Sequence, residues 1–132
     1  VRPEDRYPDV LTFAAELSSW DWEVSNGYDL VRRLLRKDRP RALLCLNDRL
    51  AFGAYQALGE AHLSIPGDVA LVSFDNDELA SYLRPGLTTI GLPHQKMGQL
   101  AVELLLNGPL AAGEHLVPMS AVSRGSLPDT AV

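Results

Sequence analysis

Residues 65–76 combine a turn, a short apolar run and a polar end, in the order Ile-Pro-Gly-Asp-Val-Ala-Leu-Val-Ser-Phe-Asp-Asn. The apolar run at 69–72 predicts a strand that is covered on both faces, as in a parallel sheet with helices on each side. Asp75 and Asn76 follow the carboxyl end of that strand. Open α/β sheets bind their ligands at this edge. The stretch therefore predicts a fold class and the edge of the sheet where a site belongs.

Helical and strand patterns alternate along the rest of the chain. Helices are predicted over about 24–37, from the Asn47–Asp48 pair to about 61, and over 93–106, with a short helix at 77–83. Strands are predicted over about 10–15, 41–46, 69–74 and 87–91, with one or two edge strands in 115–124. This order implies right-handed crossovers, a mainly parallel sheet and an α/β three-layer sandwich.

Apolar residues also recur at helical spacing within the helix predicted at 93–106. We expect them to form its buried stripe, which consists of Met97, Leu100, Ala101, Leu104 and Leu105.

Polar residues follow two of the predicted strands. Asn47 comes after the strand at 41–46, and Asp75 comes after the strand at 69–74. Because successive parallel strands end at one edge of a sheet, we expect both residues to face the same crevice. Asp48 is expected to cap the following helix, whereas Asn47 fits a cap or a ligand contact almost equally well. Asp75 could instead bond backbone amides of the next turn, but its place at the carboxyl edge favours ligand binding.

The composition is that of a soluble globular domain and excludes several function classes. The 132 residues carry a net charge of −5 and a pI near 5.1. This acidity argues against holding a phosphate backbone by bulk charge, and the basic run at 32–41 is interpreted as a solvated helix face. No apolar segment reaches the roughly 20 residues needed to span a bilayer. The single Cys45 fits a reducing compartment, and no signal peptide is recognised, so we expect a cytoplasmic protein. The start without Met suggests a fragment.

The sequence gives little indication of an enzyme. The three histidines lie far apart in sequence, so we expect no metal site, and Cys45 is expected to pack rather than react. No nucleophile elbow, Walker loop or GxGxxG motif is present, and we expect no cofactor and no catalytic residue. The cluster of Asp75, Asp77 and Glu78 leaves an α/β enzyme as an alternative.

Several short blocks occur in the order found in one protein family. The blocks are Asn-Asp-Arg-Leu-Ala-Phe-Gly-Ala at 47–54, the stretch at 65–76, Pro-Gly-Leu-Thr-Thr at 85–89, Pro93 with Met97-Gly98, and Arg-Gly-Ser at 124–126. With these blocks, the chain resembles the effector-binding region of the LacI/GalR family of bacterial transcription repressors over roughly residues 20–126. Each block is weak alone, and together they are specific.

The resemblance implies a periplasmic-binding-protein-like fold of two α/β lobes with a ligand cleft between them. Residues 1–86 and 113–126 would belong to the C-terminal lobe. Residues 87–108 would form the crossover strand and a helix of the other lobe. The N-terminal DNA-binding domain of the family is absent from this sequence.

Site residues carry over from the family where its motifs match. The resemblance implies that Asn47 and Asp75 hydrogen-bond a small ligand such as a sugar. Trp22 matches a position where some members stack an aromatic ring on the sugar. The residues alone favour a place in the hydrophobic core for Trp22. His94 stands where an aromatic ligand contact is common.

The function implied by the resemblance is effector binding and dimerisation in a LacI-type repressor. The effector would be a sugar or a derivative, the partner a second copy, and DNA would bind only through the missing N-terminal domain. No membrane partner is expected. The alternative is a solute-binding protein of a sugar transport system, which shares the fold.

Overall fold

The computed structural model describes residues 22–106 and 113–128, so the strand predicted over 10–15 lies outside the described part. Its elements are helix α1 (Val24–Lys37), strand β1 (Ala42–Leu44), helix α2 (Asp48–Glu60), strand β2 (Ala70–Asp75), a 3₁₀ helix (Glu78–Ser81), strand β3 (Thr88–Gly91), helix α3 (His94–Leu106) and strand β4 (Ser120–Val122). The predicted positions of these elements are confirmed. The short helix at 77–83 proves to be a single 3₁₀ turn, and the region 115–124 provides one three-residue strand.

The strands form one sheet in the order β1-β2-β3-β4. The first three strands are parallel, and β4 pairs with β3 in the antiparallel direction. The prediction of an α/β fold with a mainly parallel sheet is therefore confirmed. Strand β3, which was expected at a crossover to a second lobe, lies within this sheet between β2 and β4. The assignment of α3 to another lobe stays a prediction.

The core lies between helices α1 and α2 and one face of the sheet. Side chains alternate along β1, so that Leu43 is buried while Leu44 is 53% exposed. This alternation follows from the two-residue period of a strand. The buried apolar cluster joins Leu30 and Val31 of α1, Leu50, Ala54 and Leu58 of α2, and Leu43 and Leu71 of the sheet. It places the first turn of α2 against the carboxyl end of β2.

Two glycines allow the backbones of α1 and α2 to touch. A Cβ atom on Gly27 would lie 2.1 Å from the carbonyl oxygen of Leu50. A Cβ atom on Gly53 would lie 2.0 Å from the carbonyl oxygen of Val24 and 2.4 Å from the amide nitrogen of Tyr28. Since real Cβ atoms do not come so close to backbone, any side chain at either position forces the helices apart.

Helix α3 corrects one expectation. The apolar stripe predicted to be buried is not, because none of the α3 residues is buried within the described ranges. Met97 is 49% exposed and Leu105 is 71% exposed. Helical spacing of apolar residues shows that a helix has an apolar face, but it does not show which element covers that face. Neither this helix nor any other in the described part is long and apolar enough to cross a membrane.

We predict that Gly53→Ala destabilises the fold by about 1–3 kcal/mol or more, because the new methyl group meets backbone that cannot move independently. The matched control is Gly59→Ala in the same helix, where a Cβ atom would meet nothing within 4 Å. That control should leave stability unchanged or raise it by up to about 1 kcal/mol. Urea unfolding measures both, and equal effects of the two substitutions would contradict the contact.

Candidate ligand-binding site

Asn47 is the N-cap of helix α2. Its Oδ1 atom accepts a hydrogen bond from the Leu50 amide at 2.8 Å, and its backbone is extended, with φ −152°. Its Nδ2 atom donates to the carbonyl oxygen of Trp22 at 3.1 Å. The cap expected at Asp48 was wrong by one residue, because the extended conformation that a cap requires is adopted by Asn47.

Asp48 lies in the first turn of α2 and is 1% exposed. Its Oδ1 atom accepts hydrogen bonds from the hydroxyl groups of Ser73 and Thr89, the latter at 2.8 Å. Its Oδ2 atom accepts from the backbone amide of Asp77 at 2.7 Å. One carboxylate therefore joins α2 to β2, to β3 and to the turn after β2.

Sequence reasoning missed this role, although a signal for it existed. Ser73 is a hydroxyl residue within the apolar run of β2, and its register partner in β3 is another hydroxyl residue, Thr89. Both are fully buried. Because buried hydroxyl groups need hydrogen-bond partners, such a pair indicates a polar group beneath the sheet.

The last residue of β2, Asp75, and the turn that follows it have an unusual backbone. Asp75 has a φ of 113° and Asn76 a φ of 60°. Asparagine tolerates the left-handed φ of Asn76, whereas the φ of Asp75 lies outside that region and costs on the order of 1–3 kcal/mol. Such strained residues cluster at functional sites. The Asn76 amide donates to Thr89 Oγ1 at 3.2 Å, and its side-chain oxygen accepts from Arg124 at 2.8 Å. These contacts hold the turn from β3 and from the segment that follows β4.

The partly buried carboxyl group of Asp75 has a raised pKa. Burial is the main cause, and the negative charges of Asp48 and Asp77 act in the same direction. A hydrogen bond involving the Asp48 backbone and the charge of His94 lower the pKa of Asp75 in part. A carboxyl group with a raised pKa at the ligand-binding edge of a sheet is typical of a functional residue.

The four predicted contacts fall into two pairs. Trp22 and Asn47 are joined by a hydrogen bond, and Asp75 and His94 interact electrostatically. Trp22 is 52% exposed, so its side chain is not part of the core. His94 is exposed at the start of α3. The role of each residue toward a ligand stays a prediction.

Other candidate chemistry is weaker. A shallow depression runs along α3 and is lined by His94, Gln95, Gly98, Gln99, Val102 and Glu103. A surface formed by one helix cannot enclose a small molecule. No group of metal-ligating side chains occurs within residues 22–106 and 113–128. Cys45 is buried, which raises its pKa to about 12, so it is not an activated thiol.

Comparison with known proteins places the chain in a family. Residues 2–127 match the periplasmic binding protein-like domain family. The chain is 39% identical over 104 residues to the lactose operon repressor of Rhizobium radiobacter, covering 76% of this chain and 92% of that protein. The chain belongs to the LacI/GalR family and carries its periplasmic binding protein-like domain. The resemblance of the sequence blocks to LacI/GalR proteins is therefore confirmed.

Longer LacI/GalR relatives match over part of their length. The ribose operon repressor of Escherichia coli K12 is 43% identical over 88 residues, which is 66% of this chain and 27% of the repressor. The chain thus spans about a quarter of that relative. Both relatives are named as repressors and neither as an enzyme.

Solved LacI/GalR structures share the fold. The lac repressor dimer bound to operator and the anti-inducer ONPF is 33% identical, with a TM-score of 0.76 over 81% of this chain and 39% of that chain. A LacI family regulator from Enterococcus faecium with bound ribose is also 33% identical, with a TM-score of 0.66 over 80% of this chain and 40% of that chain.

We predict that Asp75→Asn is more stable than the wild type at neutral pH. The raised pKa means that the fold disfavours the ionised carboxyl group, so this penalty is present above the folded-state pKa. The penalty declines as the pH falls through that value and is gone below the ordinary value of 3.8. Asparagine tolerates positive φ, so the backbone conformation is retained.

Urea unfolding at a series of pH values measures this difference, with the exposed Asp29→Asn on α1 as control. The advantage of Asp75→Asn should shrink in acid, whereas the control should show no such trend. A difference between Asp75→Asn and the wild type that is independent of pH would contradict the charge effect.

Proposed function

We propose that this chain is the effector-binding part of a LacI-type transcription repressor, and that the effector is a sugar held at the carboxyl edge of β2. The observation that carries the proposal is the turn at Asp75 and Asn76. In this turn a partly buried carboxyl group with a raised pKa lies at the carboxyl edge of the sheet, where open α/β sheets generally bind ligands. The fold maintains this turn at a cost in backbone strain, and backbone strain of this kind indicates a functional role.

The chemistry suits a neutral polyol. An ionised carboxylate accepts hydrogen bonds from two hydroxyl groups, and Asp75 would hold two neighbouring sugar hydroxyls in this way. The exposed indole of Trp22 offers an apolar ring face for the C–H side of the sugar. Asn47 already uses one Nδ2 proton and one Oδ1 lone pair, so it retains one donor and one acceptor for the ligand.

The relatives support the class of protein. Their names refer to ribose and lactose operons, and the solved neighbours include a ribose complex and an operator-bound dimer. We therefore propose a homodimeric, cytoplasmic regulator in which DNA contacts lie in another part of a longer protein. The net charge of −5 fits a part that does not hold DNA. Effector binding would act by favouring one arrangement of the two lobes over another.

The alternatives are less well supported. In the carboxylate cluster considered for an enzyme, Asp77 caps the 3₁₀ helix by accepting from the Leu79 amide at 2.8 Å, and Glu78 is exposed. We therefore propose that the chain has no catalytic activity. An exported solute receptor shares the fold, but the relatives reported above are named repressors or regulators.

The test is an NMR titration of the ¹⁵N-labelled chain with D-ribose, with D-galactose and inorganic phosphate as further probes. A sugar should shift the amide signals of Asp75, Asn76 and Gly91 at the edge of the sheet. Asp75→Ala should weaken binding by roughly tenfold or more, because a charge-assisted hydrogen bond is lost. The control Asp29→Ala on α1 should bind as the wild type does. Shifts confined to other surfaces would contradict the proposed site.

A further inference from the structure

We infer that Asp48 is a positioning residue for the effector site, because its buried carboxylate sets the turn that presents Asp75 and supplies part of the charge around it. This inference rests on the proposed role of Asp75 as a ligand contact. Asp48 itself has no access to a ligand, since it is 1% exposed. It would act through the backbone and through the electrostatic field.

The hydrogen bonds of Asp48 surround the turn. Ser73 lies two residues before Asp75, and its hydroxyl group donates to Asp48 Oδ1. The amide of Asp77, two residues after Asp75, donates to Oδ2 at 2.7 Å. The two residues with positive φ, Asp75 and Asn76, lie between these fixed points. A chain held on both sides of two residues restricts the conformations that those residues can adopt.

Thr89 adds a third connection from β3. Its hydroxyl group donates to Asp48 Oδ1 at 2.8 Å and accepts from the Asn76 amide at 3.2 Å. A hydroxyl group can do both at once. Asp48 thus fixes the orientation of the Thr89 hydroxyl group, which in turn holds Asn76. The network reaches the strained turn from β2, from β3 and from helix α2.

The same carboxylate contributes to the charge that Asp75 experiences. The charged groups around Asp75 are Asp48 from α2, Asp77 from the turn and His94 from α3, while Arg124 is engaged by Asn76. Burial is the largest cause of the raised pKa of Asp75, and the charge of Asp48 is the second largest. Hydroxyl groups of a sugar bind the ionised carboxylate best, so affinity should fall as the pH drops through the pKa of Asp75.

Three variants distinguish the effect of the Asp48 charge from the effect of its hydrogen bonds on the turn. Asp48→Asn removes the negative charge and one acceptor oxygen. Thr89→Val keeps the charge but removes the hydroxyl group between Asp48 and Asn76. Ser64→Ala is the control, because it removes a hydroxyl hydrogen bond to the Asp68 carboxylate before the opposite, amino end of β2. Thr89→Val also tests the positioning role if Asp48→Asn fails to fold.

Two measurements on the ligand-free chain come first. The carboxyl ¹³C signal of Asp75 is titrated with pH, and amide hydrogen exchange is measured at Asn76 and Asp77. Asp48→Asn should lower the pKa of Asp75, whereas Thr89→Val and Ser64→Ala should leave the pKa of Asp75 unchanged. Exchange at Asn76 should become faster in Asp48→Asn and in Thr89→Val. The contribution of His94 is present in all variants and cancels in the comparison.

The affinity for D-ribose is then measured against pH. Asp48→Asn should bind roughly tenfold more weakly at neutral pH, and its loss of affinity in acid should begin at a lower pH. Thr89→Val should also bind ribose more weakly, but its affinity should begin to fall in acid at the same pH as that of the wild type. Ser64→Ala should bind within about twofold of the wild type, because its hydrogen bond to Asp68 is not part of the network around Asp48.

An unchanged Asp75 titration together with unchanged exchange in Asp48→Asn would overturn the inference. Normal ribose binding by Thr89→Val, with its pH profile unaltered, would overturn the positioning part. Failure of the wild type to bind any sugar would instead remove the proposed function. The ligand-free measurements would still decide whether Asp48 positions the turn.

Discussion

The buried carboxylate of Asp48 holds the carboxyl edge of the sheet together. A buried charge is costly unless hydrogen bonds compensate it, and here Ser73, Thr89 and the amide of Asp77 do so. Removal of one partner from such a network leaves a polar group without compensation, so the network stabilises one geometry strongly. The turn with two positive φ values exists next to this network, and the proposed ligand contact lies in that turn.

Close packing of α1 and α2 sets the position of that carboxylate. Because Gly27 and Gly53 bring the two backbones into contact, the first turn of α2 is fixed against α1 and over β2. Asn47 then caps α2 and connects it to Trp22 through a hydrogen bond. Helix packing, helix capping and the buried carboxylate therefore act on one short segment, residues 47–53. A change in the packing of α1 would reach Asp75 through this segment.

Much of the fold could be predicted from the sequence, because local patterns determine it. Apolar periodicity located α1 and α2, and the strand ending at Asp75 led to the edge of the sheet. Two neighbouring residues that both favour cap positions could not be distinguished in this way, so Asp48 was expected to cap the helix and Asn47 was left between a cap and a ligand contact, whereas Asn47 is the cap. The two hydroxyl partners of Asp48, Ser73 and Thr89, lie 25 and 41 residues away in sequence, and only the register of β2 and β3 brings them together. The sequence correctly predicted that α3 is a helix with an apolar face. The prediction that this face is buried was wrong, because no described element covers it.

A crystal structure of the chain with D-ribose would test most directly whether the strand-end turn is the effector site. The account predicts a sugar at the carboxyl edge of β2 with two hydroxyl groups within hydrogen-bond distance of Asp75, and an unchanged turn at Asn76. A sugar bound along the exposed surface of α3, or one that leaves the Asp75 carboxyl group without a contact, would contradict it.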